Sequence, residues 1–91
     1  MRFDWDEEKS RSNSKKHGVR FAEAQTVFLD PWGIDLFDIL HSHAEDRFVR
    51  IGASKDFAVL VVVYCESDAG LRIISARRAT AEERRQYEER I

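Results

Sequence analysis

Lys9, Asn13 and Lys16 or His17 recur at spacings of four and then three or four, which on a helix sets them along one face. Ammonium donors beside an amide on one exposed face suit the grip of a phosphate, although a solvated surface accounts for the same spacing. His41-Ser42-His43 is a second candidate, since alternate strand residues face one side and imidazole is a good zinc ligand. No third ligand follows at a telling spacing, so polar loop histidines are the simpler reading and no metal site is expected. Cys65 is the sole cysteine. It reads as a small hydrophobe at a strand end, and a chain without an internal disulfide suits a reducing, cytoplasmic setting.

The net charge of −2 argues against nucleic acid only until it is divided along the chain. Residues 1–8 carry one arginine against four acids, whereas residues 9–20 carry five bases and no acid. Residues 21–70 hold three bases and nine acids, and residues 71–91 hold six arginines and four glutamates. Two basic segments can therefore form one positive face if the fold joins them.

A chain of 91 residues is expected to form a single domain spanning 1–91. Its apolar share of 43% supports a core, while 35% charged residues imply a strongly polar surface. No stretch is apolar enough for a membrane span, and the N-terminus shows no signal-peptide pattern.

The element on which the rest must build is Phe57 to Tyr64, an uninterrupted apolar run with three consecutive valines. β-Branched side chains lose rotamer freedom in helices and pack well on a pleated surface, so the run predicts a strand buried on both faces. Arg47 to Ala53 alternates as a preceding antiparallel strand, and Leu71 to Arg77 as a following one. On the latter, Leu71, Ile73, Ser75 and Arg77 are expected on one face. Arg2 to Trp5 predicts a short strand, and Ile34 to Leu40 a possible edge strand. Asp6 is placed to cap a helix running to His17, with Gly18 at its end. That helix has no aliphatic residue between Glu8 and His17, so Phe3, Trp5, Val19 and Phe21 must anchor it. A second helix over Phe21–Leu29 presents Phe21, Ala24, Val27 and Phe28. Thr80 and Glu83 form a capping-box pair opening a last helix, whose apolar contacts are Ala81, Tyr87 and Ile91. The expected architecture is α+β: an antiparallel sheet of about four strands in the order β-α-α-β-β-β-α, with two N-terminal helices on one face and the other face open.

These residues resemble the BrnT toxins of bacterial type II toxin–antitoxin pairs. The resemblance is carried by Trp5-Asp6 with Lys9 and Asn13, Lys16-His17-Gly18-Val19 with Phe21, Glu23, Ala24 and Phe28, and Asp30-Pro31. It continues through His41-Ser42 with Glu45 and Arg47, Ile51-Gly52-Ala53-Ser54, Arg72-Ile73-Ile74-Ser75-Ala76-Arg77-Arg78-Ala79, and Glu83 with Tyr87. Arg20 departs from the family's usual cap before Phe21.

The resemblance implies a RelE-like fold and a growth-arresting ribonuclease that cuts RNA without a metal or other cofactor. It also implies neutralisation by a cognate antitoxin with a ribbon-helix-helix-type DNA-binding domain. The pair would form a hetero-oligomer that meets operator DNA only through the antitoxin. Attack by a ribose 2′-hydroxyl needs a base, cations for the phosphate and an acid for the leaving oxygen. Under this reading His17, Glu45, Arg47, Arg77 and Tyr87 are the catalytic candidates, with Lys9, Lys16, Arg50 and Arg78 as RNA-binding cations. Packing of Tyr87 onto the sheet is the alternative for that residue, and Arg78 is expected to bridge to Glu82 or Glu83. A non-catalytic module regulating transcription through a DNA-binding partner is the competing function. Direct DNA binding is disfavoured, since no helix-turn-helix pattern is present.

Overall fold

The computed structural model describes residues 2–90. Its elements are β1 (Phe3–Asp4), α1 (Glu7–His17), α2 (Phe21–Ala24), β2 (Ile34–Phe37), β3 (Arg47–Ala53), β4 (Val59–Ser67), β5 (Gly70–Arg78) and α3 (Ala81–Glu88), with 3₁₀ turns at Gln25–Leu29 and Ile39–His41. The strands form one five-stranded sheet in the order β1-β5-β4-β3-β2. The valine-rich strand β4 is its centre. Leu60, Val61 and Val62 are buried in succession, so both faces of β4 are covered there.

The sheet differs from the expected one in having five strands and a parallel pair. β1 runs parallel to β5, with Phe3 opposite Leu71 and Asp4 opposite Arg72. Gly70 makes this approach possible, because a Cβ there would lie 2.2 Å from the Arg2 carbonyl. The possible edge strand is real but stops at Phe37, pairing antiparallel with β3 before the chain tightens into the Ile39–His41 turn. Phe57 belongs to the β3–β4 turn, with φ 65° and its side chain exposed, so β4 begins at Val59.

α1 is capped as its ends dictate. The Asp6 carboxylate accepts from the N–H groups of Glu8 and Lys9, and Gly18 adopts φ 73°. Its mooring is partly polar. The Ser10 hydroxyl accepts from Phe21 N–H at 3.1 Å, and the Asn13 amide bonds both N–H and C=O of Ala76 at 3.1 and 2.7 Å. Asn13 is thus buried as a substitute strand residue on the edge of β5, and it is not part of an exposed phosphate-gripping face. Phe3, Trp5, Val19 and Phe21 add the expected apolar anchors.

The expected helix over Phe21–Leu29 is α-helical only to Ala24 and then tightens. Thr26 Oγ1 donates to the Glu23 carbonyl at 2.7 Å, competing with the helical bond that carbonyl would otherwise accept. The principal core packs Val19, Phe21, Ala24 and Val27 against Leu60, Val62, Ile73 and Ala76. A smaller cluster of Ile51, Val61 and Tyr87 lies beneath α3 on the opposite face. Ile91, an expected apolar contact of this last helix, lies outside the described residues.

One irregularity re-aims β5. Pairing jumps from Val63 opposite Ser75 to Tyr64 opposite Ile73, leaving Ile74 as the extra residue of a bulge. The expected simple alternation therefore fails: Ile73 and Ala76 both enter the helix-side core, while Ser75 and Arg77 face the other side.

Candidate active site

The face of the sheet away from α1 and α2 is only partly covered, and a cavity of about 620 Å³ opens there. Val49, Ile51, Val61 and Val63 form an apolar floor, and Leu36 and Phe37 extend it toward the sheet edge. Polar groups reach it from four directions: His17 from the end of α1, Ser75 and Arg77 from β5, Asp38 and His41 from the turn after β2, and Glu83 and Gln86 from α3. A greasy floor with a few convergent polar groups is the usual form of a binding site.

Arg77 is held in place by a neighbour. Its Nη1 and Nη2 donate to Glu83 Oε1 and Oε2 at 2.7 and 2.9 Å. Glu83 Oε1 also accepts from Thr80 N–H at 2.8 Å, completing the predicted capping box of α3. The Arg77 guanidinium, with further help from the Thr80 N–H, holds the Glu83 carboxyl down at about 2, and the carboxylate in turn raises Arg77. The carboxylate thus fixes the guanidinium at the cavity wall, and Nε is left outside this paired contact. The ion pair expected for Arg78 belongs instead to Arg77, and Glu82 pairs with Arg85.

The basic face of α1 meets the same cavity. Lys9 and Lys16 line a shallow cleft of about 220 Å³ together with His17, Ile74 and Ser75. His17 and Ser75 border both hollows, so the two are neighbours there. Glu45 and Arg47 lie in a further hollow of about 200 Å³ that shares His41 with the large one. Their closest charged atoms are 3.8 Å apart, and Arg47 Nε is buried without a hydrogen-bond partner. Beneath them burial pushes the Cys65 thiol up, with the Glu45 carboxylate adding to the rise.

Three sequence candidates are placed elsewhere. Arg50 is on the helix side of the sheet, donating Nε to the Val27 carbonyl at 3.0 Å and Nη2 to the Asp30 carbonyl at 2.7 Å, and pairing with Asp35. Its guanidinium lies over the Phe28 ring and against Gly33, where any Cβ would strike it. All of this makes Arg50 a clamp for the Val27–Gly33 turn, away from the cavity. Tyr87 is 5% exposed, and its hydroxyl donates to the Asp30 carboxylate. Burial and that carboxylate push the phenol up to about 12, and α3 packs its ring onto the sheet with Ile51 and Val61, as the packing alternative has it. Arg78 is exposed at the end of β5, opposite Leu60, and does not line the cavity.

Sequence reasoning missed Asp38, His41 and Glu83 as cavity residues. Among the described residues no group of three or more His, Cys, Asp or Glu side chains could hold a metal ion. His41 Nδ1 instead lies 2.9 Å from Asp38 Oδ2. The spacing of three between the two was readable, but only the folded turn shows what they face.

Among solved structures, the chain is similar to the 1.1 Å crystal structure of the Brucella abortus ribonuclease toxin BrnT, at 26% identity and a TM-score of 0.66, with 88% of this chain and 97% of that one covered. No curated protein matches it. Residues 5–83, which take in every element from α1 to β5 and the start of α3, match the family model described as the ribonuclease toxin BrnT of type II toxin–antitoxin systems, and the chain belongs to that family.

Proposed function

We propose that the cavity on the uncovered sheet face cleaves RNA by intramolecular attack, without a metal. The ribose 2′-oxygen forms a bond to the adjacent phosphorus while the bond to the 5′-oxygen breaks, giving a 2′,3′-cyclic phosphate and a 5′-hydroxyl. His17 serves as a proton-transfer group. Arg77 binds the phosphate as its charge grows, and Lys9 and Lys16 lead the flanking strand to it along α1. Glu45 and Arg47, one hollow away, hold the neighbouring nucleotide, with Glu45 as a further candidate base.

The observation that carries this reading is that the basic α1 cleft and the Arg77 cavity are neighbours, with His17 and Ser75 lining both. A cationic track ending at an imidazole and a fixed guanidinium suits a phosphodiester. The single domain of residues 1–91 acts in the cytoplasm in this reading, as a RelE-like fold. A ribbon-helix-helix antitoxin binds it as a hetero-oligomer, and operator DNA is reached through that partner.

The test is incubation of the purified chain with an oligoribonucleotide in excess chelator. Strand scission ending in a 2′,3′-cyclic phosphate is expected, blocked by 2′-deoxy substitution at the cut site and lost in H17A and R77A. Scission that stops in chelator, or survives 2′-deoxy substitution, would refute the mechanism. Absence of scission would favour the non-catalytic module.

A further inference from the structure

We infer that His41, oriented by Asp38, is the general base that takes the 2′-hydroxyl proton, leaving His17 to protonate the departing 5′-oxygen; this rests on the nuclease reading above. The reaction needs two proton-transfer groups, and the cavity is lined by two imidazoles arriving from opposite ends of the fold, one at the end of α1 and one on the turn after β2. The two rings are not equivalent. His41 Nδ1 faces both Asp38 oxygens, at 3.1 and 2.9 Å, so Nδ1 carries the proton and Nε2 keeps its lone pair. A carboxylate at one imidazole nitrogen fixes the tautomer and stabilises the cation that forms when the other nitrogen takes a proton. His17 has no side-chain carboxylate partner among the described residues and ends a helix, where the negative pole of the backbone lies.

The turn carrying His41 is held independently of the pair itself. Asp38 N–H donates to the Arg47 carbonyl at 2.8 Å, and His41 N–H to the Asp38 carbonyl at 3.3 Å. The Ser42 hydroxyl donates to the Asp38 carbonyl at 2.6 Å and accepts from Arg47 N–H at 2.9 Å. None of these bonds uses the imidazole or the Asp38 carboxylate. Substitution of either side chain therefore removes chemistry and leaves the loop standing.

In the reaction the 2′-hydroxyl proton passes to His41 Nε2 as the bond from the 2′-oxygen to phosphorus forms. The bond from phosphorus to the 5′-oxygen breaks as His17 delivers a proton to that oxygen. One proton is taken and one given, so the enzyme's net charge is unchanged, and exchange with water returns each ring to its starting protonation state.

The roles separate on a substrate whose scissile 5′-oxygen is replaced by sulfur, since a thiolate leaves without protonation. H41A, H17A and D38N are compared with wild type on the ordinary and the 5′-thio oligoribonucleotide, with melting temperature recorded for each. H41A is expected to lose about a hundredfold or more in kcat on both substrates at unchanged melting temperature, whereas H17A recovers on the thio substrate. D38N is expected to lower kcat by about tenfold or more with KM unchanged, and to add nothing in the H41A background. H41A cleaving at the wild-type rate, or recovering on the thio substrate while H17A does not, overturns the assignment. A wild-type chain that cleaves neither substrate overturns the nuclease reading and this one with it.

Discussion

Glu83 grips Arg77 through two parallel N–H···O contacts of 2.7 and 2.9 Å while also accepting the N–H of Thr80. One carboxylate thereby fixes both the start of α3 and the direction of a guanidinium on the cavity wall. The carboxyl is held at about 2, well below its ordinary range, so the pair stabilises the fold above pH of about 4.5 and that stabilisation fades as pH falls toward about 2. In E83Q the amide oxygen still caps α3 but the ionic pair is gone. The expected outcome is a stability gap between wild type and E83Q that is constant at neutral pH and narrows below about 4.5, followed by denaturant titration at several pH values. A gap that widens toward acid would contradict the assignment.

For Arg77 itself, R77A leaves the capping box intact while removing the cavity's fixed cation. Cleavage efficiency, kcat/KM, should fall about a hundredfold per folded molecule, beyond the loss of stability that R77A shares with E83Q through the broken ion pair. Arg50 gives the opposite pattern. R50A deprives the Val27 and Asp30 carbonyls of their donor and should destabilise by roughly 2 to 3 kcal/mol, with cleavage per folded molecule unchanged.

Tyr87 offers a check on the packing role. Y87F removes the donor to Asp30, which still accepts from the Ala53 and Trp32 N–H groups, and should cost about 1 to 2 kcal/mol while RNA cleavage persists. Because the folded phenol is raised to about 12, its contribution is complete below pH of about 10 and disappears as pH climbs toward about 12. Unfolding curves of the two proteins should accordingly converge in strong alkali. Loss of cleavage in a stably folded Y87F would restore tyrosine to the chemistry.

The lysines of α1 are read through salt. If Lys9 and Lys16 contact the single strand, the double alanine variant should flatten the slope of log affinity against log salt by about 1.4, measured with an uncleavable 2′-deoxy ligand. An unchanged slope would place the strand elsewhere.

Asn13 is tested by stability. N13A leaves Ala76 N–H and C=O without partners and should cost roughly 3 kcal/mol in denaturant unfolding. N13D should do little better, since a carboxylate accepts from Ala76 N–H but cannot donate to the Val19 and Ala76 carbonyls.

Much of the fold was legible because its signals are local. The valine run, the alternating strand before it and the Asp6 and Gly18 ends of α1 each follow from a few adjacent residues, and β3 begins and ends as read. What escaped depends on contacts distant in sequence. Asn13 looked like an exposed partner of Lys9 because helical spacing does not show a strand edge 63 residues away. The bulge at Ile74 is set by pairing with β4, so Arg77 and Ser75 were placed on the same face as Ile73. His17 and Arg77 were chosen for their chemistry and do line one cavity, whereas Arg50 and Tyr87, chosen on the same grounds, are occupied by Asp30 and its turn. Charge and residue type nominate candidates, but burial decides among them.

A helix moored by one hydroxyl and one amide, in place of a row of leucines, leaves nearly its whole circumference free of packing duty. Its outward residues can be exchanged one by one without disturbing the interior, so selection can change the charge of that face while the scaffold stays as it is.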